Sequence, residues 1–234
     1  MDLLHGRAAL LVIDMQHDFV DEDGAVPCVG ARQIIPVIRE LVQAARQADV
    51  PVIYTQEVHR ATRIDFGREL DGAETTHCLL GTRGVEIVPE LAPQPGDVVI
   101  RKPRYSAFLG TDLPFVLSGL DIHPGDTLIV TGVATDVCVH YTCADAHQYD
   151  YRVRVVRDAV AGTSLEAHHA ALRAIDYLQR ESLTEARQVL AALATRRAQP
   201  RVAAAEPHPV WRSNTGRVAG DAALQEGSYD QRTS

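Results

Sequence analysis

The 234-residue chain has few aromatic side chains, four cysteines and no long apolar run. The cysteines lack disulfide-like or zinc-like spacing, which argues against a disulfide framework. No apolar stretch is long enough to span a bilayer, and residues 1–9 carry charges where an export signal would be apolar. A net charge of −8 without a basic cluster argues against nucleic acid and anionic membranes as partners. We therefore expect a cytoplasmic protein with reduced thiols.

Short apolar runs alternate with amphipathic segments along most of the chain. The apolar runs predict five strands, at residues 8–13, 50–55, 97–100, 127–131 and 152–156. Helical spacing predicts helices at residues 34–48, 113–120, 137–149, 165–178 and 184–194. Strands that alternate with helices, with hardly any period-two pattern, favour parallel pairing. The sequence thus predicts an α/β fold over residues 1–196, a three-layer doubly wound parallel sheet with helices on both faces.

Two segments fall outside this pattern. Residues 57–83 form a long irregular stretch, and such loops in compact domains usually cover or bind something. Residues 197–234 have no core pattern and finish with a stretch of Ser, Gly, Asp and Gln. We expect them to form a C-terminal tail or an arm laid on a neighbouring subunit. Trp211 would anchor such an arm, although a stray tryptophan in a loose tail explains it as well.

Three chemically useful side chains follow three of the predicted strands. Asp14 and Lys102 follow strands 8–13 and 97–100, and Cys138 lies just after strand 127–131, in the first turn of a helix. Ligands of such sheets bind at the carboxyl ends of the strands. A helix start and a cation favour a thiolate, and a carboxylate can move a proton. These are the parts of a thiol hydrolase, although singly Asp14 reads as a turn aspartate and Lys102 as a solvated lysine.

Four segments carry a resemblance to a known family. They are residues 11–19 (LVIDMQHDF), 77–82 (HCLLGT), 102–108 (KPRYSAF) and 130–139 (VTGVATDVCV). In this order they resemble the isochorismatase-like cysteine hydrolase superfamily, over about residues 8–195. The resemblance implies a catalytic triad of Asp14, Lys102 and Cys138 and a thioester intermediate. It also implies that the amides of Ala134 and Cys138 bind the oxyanion, after a cis peptide bond between Val133 and Ala134.

The resemblance further implies a substrate class, a small linear amide. Within the family, residues 104–108 look like the branch that acts on ureido or carbamoyl compounds, such as biuret, ureidoacrylate or an N-carbamoyl amino acid. Arg63 or Arg104 could pair with a substrate carboxylate, although a surface arginine is the ordinary interpretation of Arg63. Each aromatic contact could instead be core, and Gln179 could be solvated. The predicted substrate contacts are Phe19, Glu57, Arg104, Tyr105, Phe108, Val133, Ala134 and Gln179.

Alternatives to this function remain open. Nicotinamidases of the same superfamily hold a metal, and the matching set here would be Glu57, His59, Asp65 and His77. Because Glu replaces the usual Asp and a histidine is missing, we expect no cofactor, with a metal-assisted nicotinamidase as the alternative. A catalytically silent binding or scaffold domain is an alternative of another class. The resemblance also implies a homo-oligomer, a dimer or a tetramer.

Overall fold

The computed structural model describes residues 3–198 of the chain. Six parallel strands form one sheet in the order β3-β2-β1-β4-β5-β6. The five predicted strands are confirmed, and a sixth strand of two residues was too short to predict. The strands are β1 (Ala8–Ile13), β2 (Val52–Glu57), β3 (Val98–Lys102), β4 (Thr127–Val133), β5 (Arg152–Ala161) and β6 (Leu183–Thr184).

Six helices accompany the sheet. They are α1 (His17–Val20), α2 (Ala31–Gln47), α3 (Leu113–Gly119), α4 (His140–Gln148), α5 (Leu165–Leu178) and α6 (Ala186–Ala198). Within the described residues, no helix combines the length and apolar character needed to cross a membrane. The predicted helix 137–149 is instead a π-helical turn, Thr135–Val139, followed by α4. Cys138 therefore lies in that turn rather than in the first turn of an α-helix.

The two faces of the sheet bury separate cores. Alternate β1 residues point to opposite faces, so Leu10 and Val12 join one core while Leu11 and Ile13 join the other. The first core is completed by α2 and α6, and the second by α3, α4 and α5. Helices thus cover both faces, as the predicted three-layer α/β fold requires.

The carboxyl edge of the sheet brings distant residues together. Strands β2 and β3 each run two residues further than predicted, which places Glu57 directly opposite Lys102. In the centre, Ile13 of β1 pairs with Gly132 of β4. A Cβ at Gly132 would lie 2.1 Å from the carbonyl oxygen of Ile13, and the φ angle of Gly132 is +103°. This position therefore requires glycine, which lets β4 pack closely against the end of β1, next to Asp14.

The predicted boundary between domain and tail lies at the end of α6. That helix continues to Ala198, two residues past the predicted boundary at residue 196. Residues 199–234, with Trp211, lie outside the described residues. The tail or arm therefore stays a prediction.

Candidate active site

Asp14 is fully buried at the end of β1 and is fixed by Thr55 of β2. The hydroxyl of Thr55 donates to Asp14 Oδ1 at 2.6 Å and accepts from the Asp14 amide at 3.1 Å. The φ angle of Asp14 is 45°, a left-handed conformation that aspartate tolerates better than most residues. One oxygen of the carboxylate is thus committed to the fold, and Oδ2 is left for chemistry.

Lys102 is the only lysine in the sequence, and its side chain is fully buried. Its Nζ lies 2.7 Å from Asp14 Oδ2 and 3.0 Å from Glu57 Oε2. The same Nζ lies 3.4 Å from Cys138 Sγ and donates to the carbonyl of Arg104 at 2.9 Å. One ammonium group therefore links two carboxylates to the sulfur, and the three residues predicted as catalytic meet at one point.

Cys138 is held in the π-helical turn that follows β4. The peptide bond between Val133 and Ala134 is cis, as the resemblance implied, and Val133 is fully buried. Cys138 Sγ lies 3.5 Å from Glu57 Oε2 and within 4.8 Å of an oxygen of Asp14. The turn thus aims the sulfur at the carboxylates of β1 and β2.

Glu57, predicted as a substrate contact or a possible metal ligand, is a fourth member of the site and contacts Lys102. Its Oε2 faces Lys102, whereas its Oε1 accepts from His77 Nε2 at 2.7 Å. The backbone of Glu57 is clamped by Gln16, whose side chain accepts from the Glu57 amide at 2.7 Å and donates to its carbonyl at 2.8 Å. Gln16 lies in a motif segment, but the sequence alone gave it no role.

Burial and charge set the protonation of these groups. Burial raises the pKa of Asp14, as does the charge of Glu57, while Lys102 opposes the rise. Burial would also raise the pKa of Glu57, but Lys102, His59 and His77 hold it well below its usual value. Burial alone would lower the pKa of Lys102, yet Asp14, Cys138 and Glu57 raise it well above its usual value. Lys102 and Glu57 are therefore a fixed ion pair, and Asp14 is the more basic carboxylate.

The expectation of an easily ionised thiol is wrong for this resting state. Burial raises the pKa of Cys138 well above its usual value, and the negative charges of Asp14 and Glu57 add to the rise, while Lys102 opposes it. The resting sulfur is therefore a neutral thiol. It can become a nucleophile when its proton moves to a nearby base.

A small cleft opens over the sulfur. Its walls combine apolar and acidic side chains, which include Phe19, Glu57, Glu74, Tyr105, Ala134 and Cys138. Four of the predicted substrate contacts are thus placed at the cleft. Glu74 was not predicted, because nothing in the spacing of the long loop singles it out.

Comparison with known proteins agrees with this geometry. A family model described as the isochorismatase domain matches residues 8–196. The chain belongs to the isochorismatase family. Membership of this family makes the chain a hydrolase of carbon–nitrogen bonds, as the sequence predicted.

Similar proteins include characterised members of the family. The chain is 34% identical to the ureidoacrylate amidohydrolase RutB of Yersinia enterocolitica, over 65% of this chain and 74% of that protein. A cysteine hydrolase from Pseudomonas syringae has a TM-score of 0.74 and 32% identity, covering 81% and 93% of the two chains. A zinc complex of the pyrazinamidase from Pyrococcus horikoshii has a TM-score of 0.69 and 31% identity, covering 77% and 99%.

Four predicted substrate contacts do not line the cleft in this isochorismatase domain. Val133 is fully buried in the first core, and the other three have protein partners elsewhere. The guanidinium of Arg104 donates to the backbone carbonyls of Asp65 and of the preceding residue, Pro103. Phe108 belongs to the second core and stacks on the exposed Tyr149, with ring centroids 5.2 Å apart. Arg104 is thus engaged by loop carbonyls and Phe108 by the core, so neither lines the cleft, and their contact with substrate stays a prediction. Arg63 is exposed, as its ordinary interpretation held.

Gln179 is the third, and it lies at the opposite edge of the sheet. Its amide oxygen accepts from the Val153 amide at 3.0 Å, and its nitrogen donates to the Tyr151 carbonyl at 2.7 Å. Both partners are at the beginning of β5, whereas Cys138 follows the end of β4. Gln179 therefore fastens α5 to β5, and its predicted contact with substrate is wrong.

A cluster of possible metal ligands lies beside Glu57. Ligand atoms of Glu57, His59, Glu69 and His77 all lie within 4.8 Å of one another. Glu69 takes the place predicted for Asp65, which instead accepts from the Arg60 amide at 3.1 Å. Glu69 is buried, and in the described part of the chain neither carboxylate oxygen has a well-formed hydrogen bond. His77 Nδ1 contacts the Thr75 carbonyl at 2.6 Å, the support that a metal-binding imidazole usually has. Two imidazoles and two carboxylates suit a divalent transition metal.

Proposed function

We propose that the chain hydrolyses a small linear amide, a ureido or carbamoyl compound, through a thioester on Cys138. The observation that carries the proposal is the position of Lys102 Nζ, within 3.4 Å of Asp14, Glu57 and Cys138 at the floor of the cleft. Similarity to a ureidoacrylate amidohydrolase supports the ureido class. A silent binding domain is not favoured, because such a domain has no need of this buried charged cluster.

The reaction begins with a proton transfer from the Cys138 thiol to Asp14 Oδ2. The pKa values of Asp14 and Cys138 are both raised. The transfer moves the negative charge from the carboxylate to the sulfur, both buried beside Lys102, so the net charge of the site does not change. The sulfur then forms a bond to the substrate carbonyl carbon. The amides of Ala134 and Cys138 donate to the oxyanion. Glu57 stays ionised and holds Lys102 in place.

The same carboxyl group completes the cycle. Asp14 gives its proton to the leaving nitrogen as the carbon–nitrogen bond breaks, and ammonia or an amine departs. Asp14 then takes a proton from water as the hydroxide adds to the thioester carbon. The carbon–sulfur bond breaks, and the proton returns to the sulfur. Lys102 stabilises the carboxylate and the thiolate in turn.

The test is the variant Cys138→Ala, assayed for ammonia release from biuret, ureidoacrylate, N-carbamoyl amino acids and nicotinamide. We expect the variant to fold with an unchanged circular dichroism spectrum and to lose at least about 1,000-fold in kcat/KM. Cys143→Ala is the matched control, because Cys143 is another buried free thiol, on α4. Activity that survives in Cys138→Ala contradicts the mechanism.

A metal-assisted nicotinamidase is the second candidate, favoured by the four convergent ligand atoms. Glu57, His59, Glu69 and His77 would hold the ion, whose chemistry when bound is that of a Lewis acid. Elemental analysis of the purified protein tests this candidate. A stoichiometric transition metal that is lost in Glu69→Gln supports it, and protein without metal that turns over ureides rejects it.

Two further predictions concern the protein in solution. The homo-oligomer implied by the resemblance is checked by light scattering, which should give the mass of a dimer or a tetramer rather than 25.5 kDa. The cytoplasmic location stays a prediction from the sequence.

A further inference from the structure

Two carboxylates and one imidazole are the charged groups that line the cleft. They are Glu57, Glu74 and His77, beside the neutral phenol of Tyr105, and no lysine or arginine is among the described residues that line the cleft. Glu57 and His77 contact each other at 2.7 Å, so each compensates the other. Glu74 is therefore the one lining charge that a substrate meets without a counter-charge in contact.

Glu74 lies half-buried on the long loop, with most of its hydrogen-bonding capacity unused. The hydroxyl of Tyr105 donates to Glu74 Oε2 at 3.2 Å. A carboxylate can accept about four hydrogen bonds, so it has room for further donors. Burial raises the pKa of Glu74, and the charges of Glu57 and Glu69 add to the rise, although His77 and Tyr105 oppose it. A hydrogen-bond donor brought by the substrate would relieve this unfavourable position.

The cations near the cleft are already engaged by protein groups. Lys102 Nζ has four partners around it. Arg104 is directed at the Asp65 carbonyl, with its Nη1 3.7 Å from Glu69 Oε1. A substrate carboxylate would therefore face Glu74 without a cation in reach, and like charges in a desolvated site repel strongly.

We propose that Glu74 selects the substrate by binding an N–H or ammonium group, and that it excludes amides with a free carboxylate. The inference rests on the proposed function and narrows the substrate class. Ureidoacrylate and the N-carbamoyl amino acids carry a carboxylate, so they would be poor substrates. Ureides with a further N–H donor, of which biuret is an example, fit the site. Tyr105 is a positioning residue that orients Glu74.

The experiment uses three ureides of equal length that differ at one end. They are 2-aminoethylurea, propylurea and 3-ureidopropanoate, which are cationic, neutral and anionic at that end. We expect kcat/KM to fall in this order, by about 10- to 100-fold for each step. In Glu74→Gln the advantage of 2-aminoethylurea over 3-ureidopropanoate should shrink at least about tenfold. Glu86→Gln, at an exposed position, is the matched control and should keep the wild-type order.

Binding separates this inference from the proposed function. The three compounds are titrated into Cys138→Ala by calorimetry, where no turnover is needed. If no ureide is hydrolysed but the binding order holds and depends on Glu74, the proposed function is wrong and the selection stands. Equal or tighter binding of 3-ureidopropanoate, an order unchanged in Glu74→Gln, or no binding by any of the three overturns the selection.

Discussion

Replacement of Lys102 by methionine tests the buried charge cluster most directly. The change keeps much of the side-chain volume and removes the ammonium that contacts Asp14 at 2.7 Å and Glu57 at 3.0 Å. Removing one partner of a buried ion pair costs about 3–5 kcal/mol, because the remaining charge is left uncompensated. For a domain of this size, that loss lowers the melting temperature by about 6–20 °C.

A second substitution tests which carboxylate, Asp14 or Glu57, is left without a counter-charge. Glu57 keeps its contact with His77, whereas Asp14 keeps only the hydroxyl of Thr55. Replacing Asp14 by asparagine in the Lys102→Met background removes this unpaired buried charge. The double variant should therefore melt at a higher temperature than Lys102→Met, by an amount that corresponds to about 1–3 kcal/mol.

The loss of stability in Lys102→Met should depend on pH. The pKa of Asp14 is already raised by burial, and loss of Lys102 removes the main influence that lowers it. A carboxyl whose folded-state pKa is above its unfolded value stabilises the fold when protonated, and this stability is lost as pH rises through the folded pKa. The deficit of Lys102→Met against wild type should thus be larger at pH 8 than at pH 5.5, and asparagine at position 14 should remove the difference.

Melting by calorimetry at the two pH values measures these effects. Arg32→Met is the control, because Arg32 pairs with Asp21 but is 46% exposed and should cost about 1 kcal/mol or less. A Lys102→Met protein as stable as wild type at pH 8 would refute the reasoning. So would a double variant that is less stable than Lys102→Met.

Two further substitutions test the framework around the site. Gln179→Ala should destabilise the fold by about 1–3 kcal/mol in urea denaturation, because the amide of Val153 and the carbonyl of Tyr151 lose their partner. The value of kcat/KM should stay within about twofold of wild type. A loss of activity without a loss of stability would show that Gln179 contacts the substrate. Gly132→Ala should give an unfolded or strongly destabilised protein by circular dichroism, because its Cβ would meet the Ile13 carbonyl. Gly96→Ala has the same φ of +103° in open space, so it should lose only the smaller cost of strained backbone, and equal losses would reject the contact as the cause.

The sequence predicted that Asp14, Lys102 and Cys138 meet because these residues lie at or just after the ends of strands. Apolar runs locate strand ends to within about two residues, and parallel strands share one carboxyl edge. Asp14, Lys102 and Cys138 could therefore be placed together without a structure. Even the position of Glu57 opposite Lys102 needed only the register of β2 and β3.

The wrong predictions have physical causes of two kinds. A helix that connects parallel strands runs antiparallel to them, so the end of α5 lies at the amino edge, away from the sulfur. Gln179 follows that end, and this argument could have excluded it from the sequence alone. Glu69 and Glu74 belong to a loop without periodicity, whose path is set by tertiary contacts. No spacing rule could have found them.

The single lysine offers an internal reporter of the integrity of the buried charge cluster around Asp14, Glu57 and Cys138. Apart from the amino terminus, the ε-amine of Lys102 is the only primary amine in the sequence. Acylating reagents modify free amines, and this one is buried and held in the protonated form by its neighbours. Mass spectrometry of the acylated peptide would therefore record how often the core of the site opens to solvent. The surface of the enzyme, whose side-chain cations are otherwise arginines and histidines, would contribute almost no background.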